Sequence, residues 1–125
     1  MADLKDITNT KDHTEEFDPQ DAQTNKVYGI LAYIGILVLV PIFAAKESKW
    51  ARFHANQGLV LCIVLVAASL IMGILGSIPY IGWLFYIIGA LLEIPAVILM
   101  VLGIVGAAKG QAKELPIIGG IRILK

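Results

Sequence analysis

Glu93 is the residue of this 125-residue chain most able to do chemistry, because it is the only charged residue between Gly58 and Ala108. It sits in the run GALLEIPAVILMVLGIVGAAKG at positions 89–110, two residues before Pro95. Steps of four and three residues from Gly89 pass through Glu93, Ala96, Met100, Gly103, Ala107 and Gly110, the spacing of one packing face of an α-helix. A carboxylate on that face has no Lys, Arg or His within the apolar runs to pair with, so it is expected to be a neutral acid that donates a hydrogen bond. By depth, Ser69 and Tyr33 are candidate partners. The carbonyl of Leu91 is a third, since Pro95 has no N–H to give it. Two roles follow: a polar pin that fixes helix register, or a proton or cation site in an oligomeric pore.

Little else is reactive. His13 lies beside Asp12, Glu15 and Glu16 in a polar stretch where nothing preorganises a cation site. Cys62 is the single cysteine, which leaves no intramolecular disulfide and no thiolate cluster. No nucleophile is paired with a base, and no metal-ligand spacing, glycine-rich phosphate loop or nucleic-acid motif is present. The expectation is a protein that is not an enzyme, with no cofactor, no metal and no nucleic-acid partner.

The elements that would position these residues are membrane elements. Hydrophobic residues make up 58% of the chain and charged residues 16%, against about 25% charged in soluble domains. Seven of the ten acids precede Lys26, and seven of the ten basic residues follow Ala45. Residues 1–26 read as a flexible acidic tail. Three transmembrane helices are predicted at about 27–45, 58–75 and 83–108, within a domain of residues 27–108. Tyr28 anchors the first at the interface, and Pro41 kinks its last turns. Residues 46–57, KESKWARFHANQ, form an amphipathic connector in the headgroup plane, with Trp50, Phe53 and Gln57 on one side and Arg52 and Asn56 on the other. His54 is an interfacial or capping residue there. The turn GSIPYIG at 76–82 makes the last two spans antiparallel. Gly58 and Gly76 begin and end a second seam of small residues that passes through Cys62, Leu65, Ser69 and Met72. Residues 109–125 form a basic interfacial tail that Pro116, Gly119 and Gly120 keep from being one long helix. Three spans and the positive-inside rule place the amino terminus outside and the carboxy terminus in the cytoplasm.

The succession ILAYIGILVLVPIFAAKESKWARFHANQGLVL (30–61), followed by AAKGQAKELPIIG (107–119), resembles the small bacterial and archaeal membrane proteins grouped as DUF4870, or Tic20-like. The resemblance covers roughly residues 26–119, and FHANQG at 53–58 is its most specific part. Magnetosome-membrane proteins of the MamF type share that stretch and the YxGILxxVP opening, here Tyr33 to Pro41. The resemblance implies a multi-pass membrane protein without known catalysis, with protein import the role of distant relatives. The magnetosome relatives raise contact with iron or mineral, which would need acidic residues clustered on the lumenal side.

The leading expectation is thus a non-catalytic membrane protein of a prokaryotic cytoplasmic membrane. Its partners are the lipid bilayer and either a second copy in a homo-oligomer or another membrane protein, since two of three helices carry small-residue seams. The alternatives are a channel or transporter subunit centred on Glu93, and a lipid-organising protein using the basic belt.

Overall fold

The structure is a computed structural model and describes residues 13–115. Residues 116–125 of the expected interfacial tail, with Pro116, Gly119 and Gly120, lie outside the described residues, as do residues 1–12. Two long helices dominate: α4, Lys49–Gly76, and α5, Gly82–Ala108. Three short helices precede them: α1, Pro19–Thr24; α2, Lys26–Leu31; and α3, Leu39–Ala44. Two 3-10 turns, Thr14–Glu16 and Gly35–Val38, complete the order.

Helices α4 and α5, of 28 and 27 residues, are each about 40 Å long at 1.5 Å per residue, enough to cross a hydrocarbon core of about 30 Å. Both are apolar enough to do so, and both leave large side chains such as Leu70, Ile74, Leu91 and Ile98 exposed. Ser48 starts α4, its hydroxyl accepting from the Ala51 N–H at 3.0 Å. The antiparallel turn between the helices depends on two glycines. A Cβ on Gly82 would lie 2.0 Å from the Gly76 carbonyl oxygen, and one on Gly76 would lie 2.5 Å from the Tyr86 ring. Helix α5 ends in a Schellman motif: Gly110, at φ +73°, bonds back to Ala107, and Gln111 to Gly106.

The chain therefore has two candidate spans, where the composition predicts three. The expected first span, 27–45, is broken into α2, a turn, the 3-10 turn and α3. Gly35 takes a left-handed φ of +53° at the break. Pro41 stands third in α3, in the first turn of a short helix, where its missing N–H has no helical partner to lose. It does not kink the end of a long helix. The segment also returns to where it began. Asp21, just before it, accepts from Ser48 Oγ, just after it, at 2.5 Å. Helices α2 and α3 pack on each other as well. The two ends of the segment therefore lie side by side in the fold.

The connector expected at 46–57 is not a separate interfacial element either. From Lys49 onward it forms the first turns of α4, with Trp50, Ala51 and residues 53–58 buried beneath other parts of the chain. Three spans would set residues 13–24 and 109–115 on opposite sides, whereas in the fold they are neighbours. Residues 13–24 and 109–115 pack together at the charged end, with the His13 N–H donating to the Ala112 carbonyl at 2.8 Å.

Candidate functional site

The polar centre of the molecule is the start of α4. Trp50, His54 and Gln57 lie four and three residues apart and so share one helix face, and all three are at most 1% exposed. Tyr33, from the turn after α2, leans onto them with 1% of its surface exposed. Two glycines allow this approach. A Cβ on Gly103 would lie 2.4 Å from the Tyr33 ring, and one on Gly29 would lie 2.6 Å from the Trp50 ring. The rings of Tyr33, Trp50 and Phe53 surround the His54 imidazole edge-on at 5.5, 4.6 and 5.3 Å.

The hydrogen bonds fix the role of each group. His54 Nε2 lies 2.6 Å from the Gln111 carbonyl oxygen, which can only accept, so Nε2 carries the proton. Gln57 Nε2 donates to Tyr33 Oη at 2.7 Å, and Tyr33 Oη lies 2.6 Å from His54 Nδ1. The chain of donation therefore runs Gln57 to Tyr33 to His54 to Gln111, with His54 a neutral imidazole. Among the described residues no buried side-chain nitrogen or oxygen lacks a hydrogen-bond partner. A network in which every buried member is paired holds structure.

What it holds is the chain after α5. Residues 111–115 run extended past the α4 face, and alternate backbone groups turn towards it. The Gln111 carbonyl accepts from Trp50 Nε1 at 3.1 Å as well as from His54. The Lys113 carbonyl accepts from Gln57 Nε2 at 3.2 Å, and the Leu115 N–H donates to Gln57 Oε1 at 2.6 Å. Residue 112 faces the other way: its N–H donates to Thr14 Oγ1 at 3.0 Å, and its carbonyl receives the His13 N–H. The imidazole of His13 lies between the carboxylates of Glu16 and Glu114, bonding to Glu114 Oε1 at 3.1 Å. Residues 111–115 are thus a strap, bound through its backbone to α4 and to the amino-terminal turn.

Asp21 closes the same end. Besides Ser48, its carboxylate accepts from the Trp50 N–H at 3.2 Å and Asn25 Nδ2 at 2.8 Å, capping the positive end of α4 from a distant part of the chain. Sequence reading missed Asp21, because it falls in a stretch whose composition looks unfolded. It also missed Gln111 and Lys113, which act through carbonyls that any residue supplies. The one local signal was the helix start itself: Ser48 followed by polar residues at the spacing of a single face.

The expected intramembrane set is divided. Tyr33 belongs to the polar centre, while Glu93 and Ser69 line a groove of about 650 Å³ between α4 and α5. Glu93 is exposed there, not enclosed in a seam, and no hydrogen bond joins it to Ser69 or Tyr33. The seam residues are largely consumed within the chain. Gly58 admits the Ala32 backbone, whose oxygen a Cβ would meet at 1.7 Å. Gly89 faces Met72, and Gly103 faces Tyr33. Ala107 and Ala96 are buried, and Gly110 supplies the helix end. Of the connector residues, Phe53, His54, Asn56 and Gln57 are buried and Arg52 half-buried, so the basic face is narrower than an amphipathic helix would give.

Residues 24–124 match the family described as the magnetosome magnetite crystal formation protein family, MamF and MmsF. The chain is 33% identical over 90 residues to the magnetosome protein MamF of Paramagnetospirillum magneticum, covering 71% of this chain and 74% of that one. It is 35% identical over 97 residues to a UPF0132 membrane protein of Methanocaldococcus jannaschii, covering 76% and 82%. The magnetosome protein MmsF of Paramagnetospirillum magneticum is 28% identical over 97 residues, with the same coverage. No solved structure is significantly similar.

Proposed function

The chain belongs to the magnetosome magnetite crystal formation protein family, and from that premise we propose that it is a non-catalytic membrane protein acting by association within the bilayer, with a second copy or as an accessory subunit of a membrane complex. One observation carries the proposal. Glu93 lies near the middle of α5, exposed in an apolar groove with Ser69 and without a hydrogen-bond or ion-pair partner among the described residues. A carboxyl group facing lipid is costly. A neighbouring helix that fills the groove and hydrogen-bonds the carboxyl removes that cost. The paired polar centre supports a structural role. The family is named for magnetite crystal formation, and in that setting such a protein would serve a mineral-forming membrane as a scaffold. The Tic20-like resemblance makes a subunit of an import or translocation complex a further form of the same reading.

We further propose that the charged end is cytoplasmic. Among the described residues every Lys and Arg lies outside 58–108, so a two-span hairpin has them all at the end opposite the 77–81 turn, which the positive-inside rule assigns to the cytoplasm.

The test is crosslinking in native membrane from a cysteine at Ala90, which lines the groove, in a Cys62→Ser background. The expected result is a discrete dimer or hetero-adduct that Glu93→Leu weakens. A strictly monomeric protein with no adduct overturns the proposal. The second reading, a proton or cation path along Glu93, is favoured by the same exposed carboxyl. It predicts that Glu93→Gln abolishes pH-dependent ion flux in liposomes without altering the fold.

A further inference from the structure

The apolar segment outside the two candidate spans is itself exposed. Between Gly35 and Ala44 it carries Ile36 at 70% and Phe43 at 67% exposure, with Leu37, Leu39 and Val40 also exposed and Ile34 just before it. Its ends are fixed at the charged end by Asp21 and Ser48, and Lys26, Lys46, Glu47 and Lys49 flank it in sequence. Its depth is marked twice. The Ala32 backbone packs on Gly58, and the Tyr33 ring packs on Gly103. Gly58 is 18 residues before Gly76, and Gly103 is 21 residues after Gly82, so about 27–32 Å of hairpin extends beyond that level. The 3-10 turn packs on α4, and α4 itself exposes the apolar Ile63, Val64 and Val66, side chains of the kind a hydrocarbon core covers.

We propose that residues 34–43 are a one-leaflet wedge. Their side chains enter the acyl region of the leaflet on the charged side, while only the α4–α5 hairpin occupies the opposite leaflet. Extra volume in one leaflet favours bending towards it. The chain therefore accumulates in membrane that is convex on its charged side, and its partner is a lipid surface of that curvature.

The test uses the full chain, labelled at its amino terminus and reconstituted into phosphatidylethanolamine and phosphatidylglycerol vesicles of mixed size. Protease digestion from outside counts copies with the charged end outward. The expected result is a surface density of outward copies about twofold higher in the smallest vesicles than in the largest, because insertion of shallow apolar side chains is curvature-sensitive. Ile36→Ser/Leu37→Ser/Phe43→Ser is expected to bring that ratio to about one, with helix content unchanged. A size-independent density in the unaltered chain overturns the proposal, and so does sorting that survives the triple substitution. If the triple variant does not fold, a nitroxide on Ile36→Cys in a Cys62→Ser background decides. Relaxation by lipid-soluble oxygen above that by an aqueous nickel complex supports the wedge. Exposure to water, or shielding from both by a second protein, overturns it.

Discussion

Ser48 Oγ donates to the carboxylate of Asp21 at 2.5 Å across a sequence separation of 27 residues. That bond closes the mouth of the re-entrant segment and also completes the amino-terminal cap of α4. With its two ends held together, the segment is expected to enter and leave by one side, which agrees with two candidate spans in place of three.

Single cysteines at Gln23, Glu47 and Ala108, all exposed, should therefore react with an impermeant thiol reagent from one side of the membrane in a Cys62→Ser background. Cysteines at Ser77 or Ile81 should react only from the other. A three-span chain would separate position 23 from position 47, so labelling of those two from opposite faces excludes the re-entrant path.

Ser48→Ala and Asp21→Ala each remove an acceptor from the first turn of α4. Losing a side-chain cap costs about 0.5–2 kcal/mol. Because both residues serve one helix end and bond to each other, the double variant should lose less than the sum of the two. Stability measured by denaturation in detergent reads this directly, and strict additivity would count against a shared cap.

Tyr33→Phe keeps the ring against Gly103 but removes the hydroxyl between Gln57 and His54. Leaving a buried acceptor, here His54 Nδ1, without its donor costs about 1–3 kcal/mol. Nitrogen NMR of labelled histidine at neutral pH should find His54 in the unaltered chain protonated on Nε2 alone. An imidazole protonated on Nδ1 instead would reverse the donation order assigned here.

Two glycines of α4 should respond oppositely to the same substitution. Gly58→Ala places a methyl group 1.7 Å from the Ala32 oxygen, so backbone must move, at a cost of about 1–3 kcal/mol or more. Gly73→Ala meets nothing within 4 Å and should be neutral or slightly stabilising through helix propensity. Thermal melts of the two variants side by side suffice. Equal stability would mean that the re-entrant segment does not rest on Gly58.

The last two helices were legible because each is long, apolar and bounded by turn residues, with small residues at the spacing of a packed face. The first segment was misread for a physical reason. Nineteen uncharged residues have the same length and hydropathy whether they cross a bilayer or fold back within it, and the residue that decides, Asp21, acts on Ser48 from outside the run. The stretch at 53–58 stood out by its residue types, but its burial was hidden. His54 and Gln57 look interfacial until the backbone of residues 111–115, more than 50 positions later, is laid across them. Glu93 was singled out by its type and its place on the small-residue stripe, but its exposure in the groove between α4 and α5 depends on how the two helices pack, which no local pattern encodes.

The strap has a consequence for how the protein is made. Gln57 bonds to Leu115 over a separation of 58 residues and His54 to Gln111 over 57, so both α4 and α5 must be synthesised before the polar groups at the start of α4 find their permanent partners. Until then the His54 Nε2–H, the Gln57 side-chain carbonyl and the Trp50 indole N–H, whose partners all lie in the strap, depend on water or on other proteins for hydrogen bonds. A chain released after Lys109 would carry both membrane helices yet expose this unfilled polar face, so quality control at the membrane could distinguish it from the finished protein by the missing five-residue strap.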